Sequence, residues 1–321
     1  IVRLSRSRPG PVRPVSERTN RAFRSGNARL NALLTAALLT ACTTPRVDRP
    51  VSWTTVSEAP RPVASHRIHY GEGPEQFGEL WLPDGAGPFP VVVLIHGGCW
   101  LSEYDIGYMA RAAADLSRRG MAVWSLEYRR VGDAGGGWPG TFRDAAAGAD
   151  HVRELAGRFP LDTGRIALSG HSAGGHLALW LAGRHNLPES APLYSKTPIR
   201  PLGVVALAGI ADLGDYSQGS GGCNRAVEPL MGGMPAGVPD RYAQADPIRL
   251  LPLGVPLRLV QGELDPIVPT EQARRMAEAA ARAGDRVDIM PIPGEGHFDV
   301  VDPGSRSWQA AADALEEILS P

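Results

Sequence analysis

The chain of 321 residues is poor in several things, and each shortage excludes something. Lys196 is the single lysine, so nearly all positive charge is arginine, a bias of base composition rather than of function. There are three cysteines, at positions 42, 99 and 223; only Cys99 and Cys223 lie beyond the N-terminal segment, and two give no credible zinc cage, which normally needs three or four ligands. The formal net charge is only −1, and the balance is uneven: residues 1–41 hold eight Arg against one Glu, leaving 25 basic and 33 acidic side chains for the rest. An acidic body argues against nucleic acid, which rewards a basic surface. The one N-terminal apolar run, Leu30–Ala41, is too short for a membrane span of about 20 residues. What is present, 43% hydrophobic and 21% charged residues, is ordinary for a globular enzyme and unlike a disordered chain.

The N-terminus reads as an address. A basic stretch, the short apolar run and small residues before a cut site describe a secretory signal over 1–41. Leu39-Thr40-Ala41-Cys42 resembles the bacterial lipobox, in which the cysteine is lipidated. The expectation is therefore an exported protein of the bacterial cell envelope, held to the membrane through a lipid on Cys42 alone. Residues 42–63, with Pro45, Pro50, Pro60 and Pro62, read as a flexible tether to a catalytic domain over 64–321.

From about Val63 the pattern alternates between strand and helix. His66–Tyr70 and Gly78–Leu82 read as a leading antiparallel pair, and Val91–Ile95 as a strand buried on both faces. Strands at Met121–Leu126, Arg165–Ser169, Gly203–Leu207, Pro256–Gln261 and Val287–Ile292 alternate with helical stretches at Gly107–Arg119, Thr141–Arg158, Ser172–Arg184 and Thr270–Ala283, and a last helix runs through Trp308 to Leu319. Such alternation predicts an α/β fold, a mostly parallel sheet with helices on both faces. Asp212–Asp246 departs from it: long, rich in Gly and Pro and weakly periodic, it reads as a lid-like insertion.

Ligands of parallel sheets bind beyond the carboxyl ends of the strands. Four such ends carry chemistry. Gly170-His171-Ser172-Ala173-Gly174-Gly175 matches G-x-S-x-G between a strand and a helix, a sharp turn that presents the Ser172 hydroxyl beside helix amides. His96-Gly97-Gly98-Cys99-Trp100 lets backbone amides point inward, and Gly98 and Ala173, joined by Gly97, are the candidate oxyanion donors. His96 reads as a loop-orienting residue and Trp100 as packing. Gly262-Glu263-Leu264-Asp265-Pro266 offers two carboxylates, Asp265 and Glu263, to orient an imidazole. Gly296-His297-Phe298 offers that imidazole, which would take a proton from Ser172. A lone loop Asp or His is most often merely solvated; the order Ser, Asp, His after three separate strands is much less often accidental.

This order and spacing resemble the α/β-hydrolase superfamily over residues 63–321. Within it, His96-Gly97-Gly98-Cys99-Trp100 looks like the H-G-G-x-W signature of the kynurenine formamidase-like and related bacterial carboxylesterase branch. The resemblance implies Ser172, Asp265 and His297 as a catalytic triad, preferring Asp265 over Glu263, and implies no cofactor or metal. The expected activity is hydrolysis of a small carboxylic ester through an acyl-enzyme. Amide cleavage, as by an arylformamidase or a prolyl-oligopeptidase-like enzyme, is the alternative. Residues 43–165 leave no room for the propeller of the peptidases, and an exported lipoprotein is an odd place for tryptophan catabolism. A surface lipoprotein that only binds is the remaining reading, and no triad residue is missing to favour it. Cys99 and Cys223 both fall on the carboxyl side of the sheet, so they either stay separate thiols or form a bridge that pins the insertion over the site.

Overall fold

The computed structural model describes residues 49–320. The proposed signal and Cys42 lie outside the described residues. The centre is one eight-stranded sheet: β1 (His66–His69), β2 (Phe77–Trp81), β3 (Phe89–Ile95), β4 (Ala122–Leu126), β5 (Leu161–His171), β6 (Gly203–Leu207), β7 (Leu257–Gly262) and β8 (Val287–Ile292). The spatial order is β1-β2-β4-β3-β5-β6-β7-β8. β1 and β2 pair antiparallel, as does β2 with β4; every pairing from β4 to β8 is parallel. This is the α/β-hydrolase fold. Among the described residues, no helix is long and apolar enough to cross a membrane.

The helices are α1 (Trp53–Ser57), α2 (Ala110–Arg118), α3 (Gly140–Asp150), α4 (Val152–Ala156), α5 (Ala173–Gly183), α6 (Leu213–Tyr216), α7 (Gly222–Met231), α8 (Pro239–Ala245), α9 (Thr270–Ala283) and α10 (Arg306–Leu319). Side chains of a strand alternate between faces. On β3, Val91, Val93 and Ile95 join a core with Leu155, Leu177 and Met276 from α4, α5 and α9, whereas Val92 and Leu94 join a second core with Leu116 and Leu315 from α2 and α10. That division explains the unbroken β-branched run: a strand covered on both faces has no polar side to show. Helix α5 is buried at every position, because the sheet lies beneath it and the insertion lies above.

Two stretches differ from expectation. The described part of the expected tether, 49–63, is not featureless chain. Ser52 caps α1, its hydroxyl accepting from the Thr55 amide at 3.2 Å, and Val56 is buried against the second core. The flanking prolines hide a helix too short to show periodicity. The Asp212–Asp246 segment likewise contains three short helices, α6, α7 and α8. Ala226, Val227, Leu230 and Met231 give α7 a buried stripe, which Pro229 and the Gly pair after it obscure in the sequence. The expected helix over 141–158 is broken at His151 into α3 and α4.

Asp246 closes the base of this insertion. Fully buried, its carboxylate accepts the Leu213 amide at 2.9 Å and the Gly214 amide at 3.2 Å, so the last residue of the segment holds its beginning. Burial pushes the carboxyl up to about 7, with Asp212 adding to the rise and the two amides and Arg249, 3.6 Å away, opposing it. Between the ordinary carboxylate range of about 4 and pH 7, the folded state therefore binds a proton that the unfolded chain does not. This contribution to stability is complete below about pH 4 and is lost as the pH rises through about 7. Urea unfolding across that window should show stability falling with pH from this site, and Asp246→Asn should flatten the slope. An unchanged slope in the variant would refute the assignment.

Candidate active site

The site is assembled from backbone first. The registers pair Ile95 of β3 with Gly170 of β5, so the loops that leave the two strands start side by side. Gly174, in the first turn of α5, lies so close that a Cβ would meet the Ile95 carbonyl oxygen at 2.1 Å and the His96 oxygen at 2.4 Å. Only glycine fits there. Between them Ser172 is held at φ 56°, ψ −117°, a conformation that costs on the order of 1–3 kcal/mol for a side-chain-bearing residue. Its amide donates to the Leu207 carbonyl at 2.8 Å, and its own carbonyl accepts from the His176 amide at 3.0 Å. The sheet and the helix thus over-determine a strained turn.

Three consecutive residues of the facing loop also have positive φ: Gly98 at 101°, Cys99 at 54° and Trp100 at 58°. Several ties hold them. Trp100 Nε1 donates to His176 Nδ1 at 3.2 Å, and His176 Nε2 donates to the Ala245 carbonyl at 2.9 Å, so this loop, α5 and the insertion are connected through one imidazole. Burial pushes His176 down to about 4, which keeps that imidazole neutral with a single proton. Cys99 and Cys223 are joined as a disulfide with Cα atoms 4.9 Å apart, linking the loop to α7. His96 is buried and directed to Glu127: Nε2 lies 2.8 Å from Glu127 Oε1 and Nδ1 donates to the Gly97 carbonyl at 2.8 Å. Burial alone would raise Glu127, but His96 and Arg130 beside it bring the carboxyl below its ordinary range. No motif marks Glu127 in the sequence, although it also accepts the Ile106 and Tyr128 amides at 3.0 Å and so shapes the whole loop.

The acid–imidazole pair is well formed. His297 Nδ1 donates to Asp265 Oδ2 at 2.7 Å. Asp265 Oδ2 also accepts from Gln261 at 3.0 Å, and Oδ1 accepts the Ile267 and Val268 amides at 2.8 and 2.9 Å. Four donors lock this carboxylate in place. Glu263 is exposed and makes no such contact, which separates the two carboxylates that the sequence leaves as competitors. Ser172 and His297, 2% and 4% exposed, line one cavity of about 280 Å³ together with Gly98, Trp53 and Tyr108.

One expected donor must be removed. The Gly97 amide donates to the Tyr108 hydroxyl at 2.6 Å and is not available to an oxyanion. Gly97 is needed for a different reason: a Cβ there would lie 2.6 Å from the His171 carbonyl oxygen and 3.0 Å from Ser172 Cβ. The Gly98 and Ala173 amides have no hydrogen-bond acceptor among the described residues and remain the candidate donors. Tyr108 Oη in turn donates to His171 Nδ1 at 2.8 Å, and His171 Nε2 donates to the His297 carbonyl at 2.9 Å. Burial, with His297 adding to it, holds His171 well below its ordinary range, so it is a neutral link and not a base. A chain of hydrogen bonds thus runs from the glycine loop through Tyr108 and His171 to the loop that carries His297. Sequence reasoning missed Tyr108 and Trp53, since neither lies in a recognisable motif. Among the described residues, no group of three or more His, Cys, Asp or Glu is placed to hold a metal ion.

The BD-FAE family model matches residues 79–280. Esterase LipC of Mycobacterium tuberculosis (strain ATCC 25618 / H37Rv) is 29% identical over 265 residues, which are 78% of this chain and 64% of LipC. The probable isoprenylcysteine alpha-carbonyl methylesterase ICME of Oryza sativa subsp. japonica is 29% identical over 248 residues, 73% of this chain and 58% of that protein. The chain therefore spans about three-fifths of the length of these curated relatives. Among solved structures, a truncated carbohydrate esterase from gut microbiota superposes with a TM-score of 0.69 at 22% identity, covering 85% of this chain and all of that one. Esterase B from Lactobacillus rhamnosis superposes at 0.68 with 21% identity, covering 81% and 89%. These two likenesses concern the fold.

The buried chain of hydrogen bonds makes its own prediction. Tyr108→Phe leaves the Gly97 amide and His171 Nδ1 unpaired and buried, which should cost about 1–3 kcal/mol in urea unfolding. A variant as stable as the parent would show that these groups are not bonded in solution.

Proposed function

The chain belongs to the BD-FAE family, and within it we propose a serine carboxylesterase that works through an acyl-enzyme. The observation that carries this reading is the 2.7 Å Asp265–His297 pair opening on the same cavity as a Ser172 held in a strained strand-to-helix turn. Ser172 Oγ attacks the ester carbonyl while His297 Nε2 takes its proton. Asp265 keeps the Nδ1 proton of His297 in place and stabilises the imidazolium that forms. Negative charge moves to the carbonyl oxygen, where the Gly98 and Ala173 amides and the N-terminal dipole of α5 receive it. The imidazolium then returns the proton to the departing alcohol. Water, deprotonated by His297, attacks the acyl-Ser172 ester, the carboxylic acid leaves, and the Ser172 hydroxyl is restored. The esterase names of LipC and ICME support the same reaction class. The His96–Trp100 motif supports placement in the H-G-G-x-W carboxylesterase branch.

The proposal extends to location: an exported envelope protein, lipid-anchored at Cys42. The basic stretch and short apolar run before Cys42 support it, and so does the Cys99–Cys223 disulfide, a bond that persists in oxidising compartments.

Ser172→Ala should lower turnover of p-nitrophenyl acetate by a factor on the order of 10⁴ or more with the circular dichroism spectrum unchanged. Asp265→Asn, which disturbs the tautomer of His297, should cost a factor of about 10⁴. A folded Ser172→Ala protein with full activity would overturn the assignment.

A further inference from the structure

Ser172, His297 and Gly98 all open on the 280 Å³ cavity, and its remaining walls are mostly aromatic and apolar: Trp53, Tyr104, Tyr108, Ile267 and Phe298. That is small. Pockets for drug-sized ligands occupy roughly 300–1,000 Å³, and this one must also contain the reacting carbonyl. A second cavity of about 410 Å³ adjoins it and shares Tyr104, Ile267 and the Cys99–Cys223 disulfide, but touches neither Ser172 nor His297. Its own lining includes Glu103, Tyr216 and Asn224. The inner cavity is therefore apolar and holds the reacting groups, and the outer one is wider and more polar.

The two halves of an ester have different requirements. The acyl half stays bonded to Ser172 until water arrives, so it needs a pocket around the serine. The alcohol half must leave, and needs a way out. The inner cavity suits the first and the outer cavity the second.

One wall of the inner cavity comes from outside the sheet and the insertion. Trp53 is the first residue of α1, and its ring meets Tyr104, Tyr108 and Phe298 at centroid separations of 5.3, 5.3 and 5.6 Å. The segment is fastened to the loop that carries His297. The Val51 amide donates to Asp299 Oδ2 at 2.9 Å, and the same oxygen accepts the Gly296 amide at 2.8 Å. Val56, three residues beyond Trp53, is buried in the second core. A bulky indole pinned on both sides makes a fixed wall.

From these placements we propose that Trp53 is a specificity-determining residue, which ends the acyl pocket and restricts the enzyme to esters of short acyl groups, with the larger alcohol accommodated on the outer side of the disulfide. This rests on the esterase reading above and deepens it. No residue of the catalytic set is supplied by α1, so its contribution is to which substrate fits.

The test keeps the leaving group constant and varies the acyl chain: p-nitrophenyl acetate, butyrate and octanoate, with the parent, Trp53→Ala and Trp53→Phe. The parent should favour acetate or butyrate over octanoate by at least about tenfold in kcat/KM, a difference of about 1.4 kcal/mol. Trp53→Ala should reduce that preference at least tenfold, and Trp53→Phe should fall between. A parallel series of acetate esters of different alcohols should keep its rank order in both variants. Equal loss at every chain length, or a shift in the alcohol series in place of the acyl series, would overturn the proposal. Should Trp53→Ala not fold, an unaltered acyl preference in Trp53→Phe overturns it equally. Failure of the esterase reading looks different: the folded parent would hydrolyse none of these esters, and Ser172 would not label with a fluorophosphonate.

Discussion

Everything at the site depends on two backbones meeting without side chains between them. The turn after β5 and the loop after β3 touch at Gly174 and at Gly97, where even a methyl group would lie within 2.6 Å of a carbonyl oxygen. That contact brings the Ser172 hydroxyl, the α5 amides and the Gly98 amide to one place. It also forces Ser172, Cys99 and Trp100 into positive φ, so the local conformation is unfavourable for the residues that occupy it. The rest of the fold supplies the compensation: parallel strands pairing across both parents of the loops, a fully buried α5, and a tie from Trp100 through His176 to the insertion.

The polar groups behind the site are organised to hold shape rather than to react. Tyr108 and His171 are buried and form a continuous path from the Gly97 amide to the His297 carbonyl. Burial keeps His171 neutral, so one nitrogen accepts and the other donates. Glu127, paired with His96 and Arg130, does the same for the glycine loop from the other side. A half-satisfied network of this kind would be worse than an apolar core; here Tyr108, His171, His96 and Glu127 each have their partners, and Gln261 Oε1, behind Asp265, has none among the described residues.

Legibility followed local pattern. The alternation of strands and helices could be read because β3 and β6 carry their burial in contiguous residues and α9 carries its own at helical spacing, at Ala273, Met276 and Ala280. The turn around Ser172 could be read because a strained turn demands small neighbours at set offsets. Segments whose order comes from distant contacts could not. Trp53 and Val56 sit in a proline-flanked stretch with no period of its own, and only the His297 loop and the second core give them a place. Helix α7 contains Pro229, a residue that argues against a helix in the sequence, and its stripe emerges against the body of the domain. The Gly97 amide carries no sign in the sequence that the Tyr108 hydroxyl, eleven residues on, accepts it.

The sequence by itself determined the fold class and the identity of the serine, because periodicity and turn chemistry act over a few residues. It left Asp265 and Glu263 as equals on their own merits, since both follow β7 in the same short loop. The family resemblance favours Asp265, and the tertiary structure supplies the physical reason: a carboxylate can orient an imidazole only from hydrogen-bonding distance, and Asp265 is the one that reaches His297. It also decided the reach of the reaction cavity, whose wall at Trp53 lies more than a hundred residues before Ser172 and whose disulfide joins Cys99 to Cys223 across a separation of 124 residues. Contacts at that range depend on how the whole chain packs, and no short pattern encodes them.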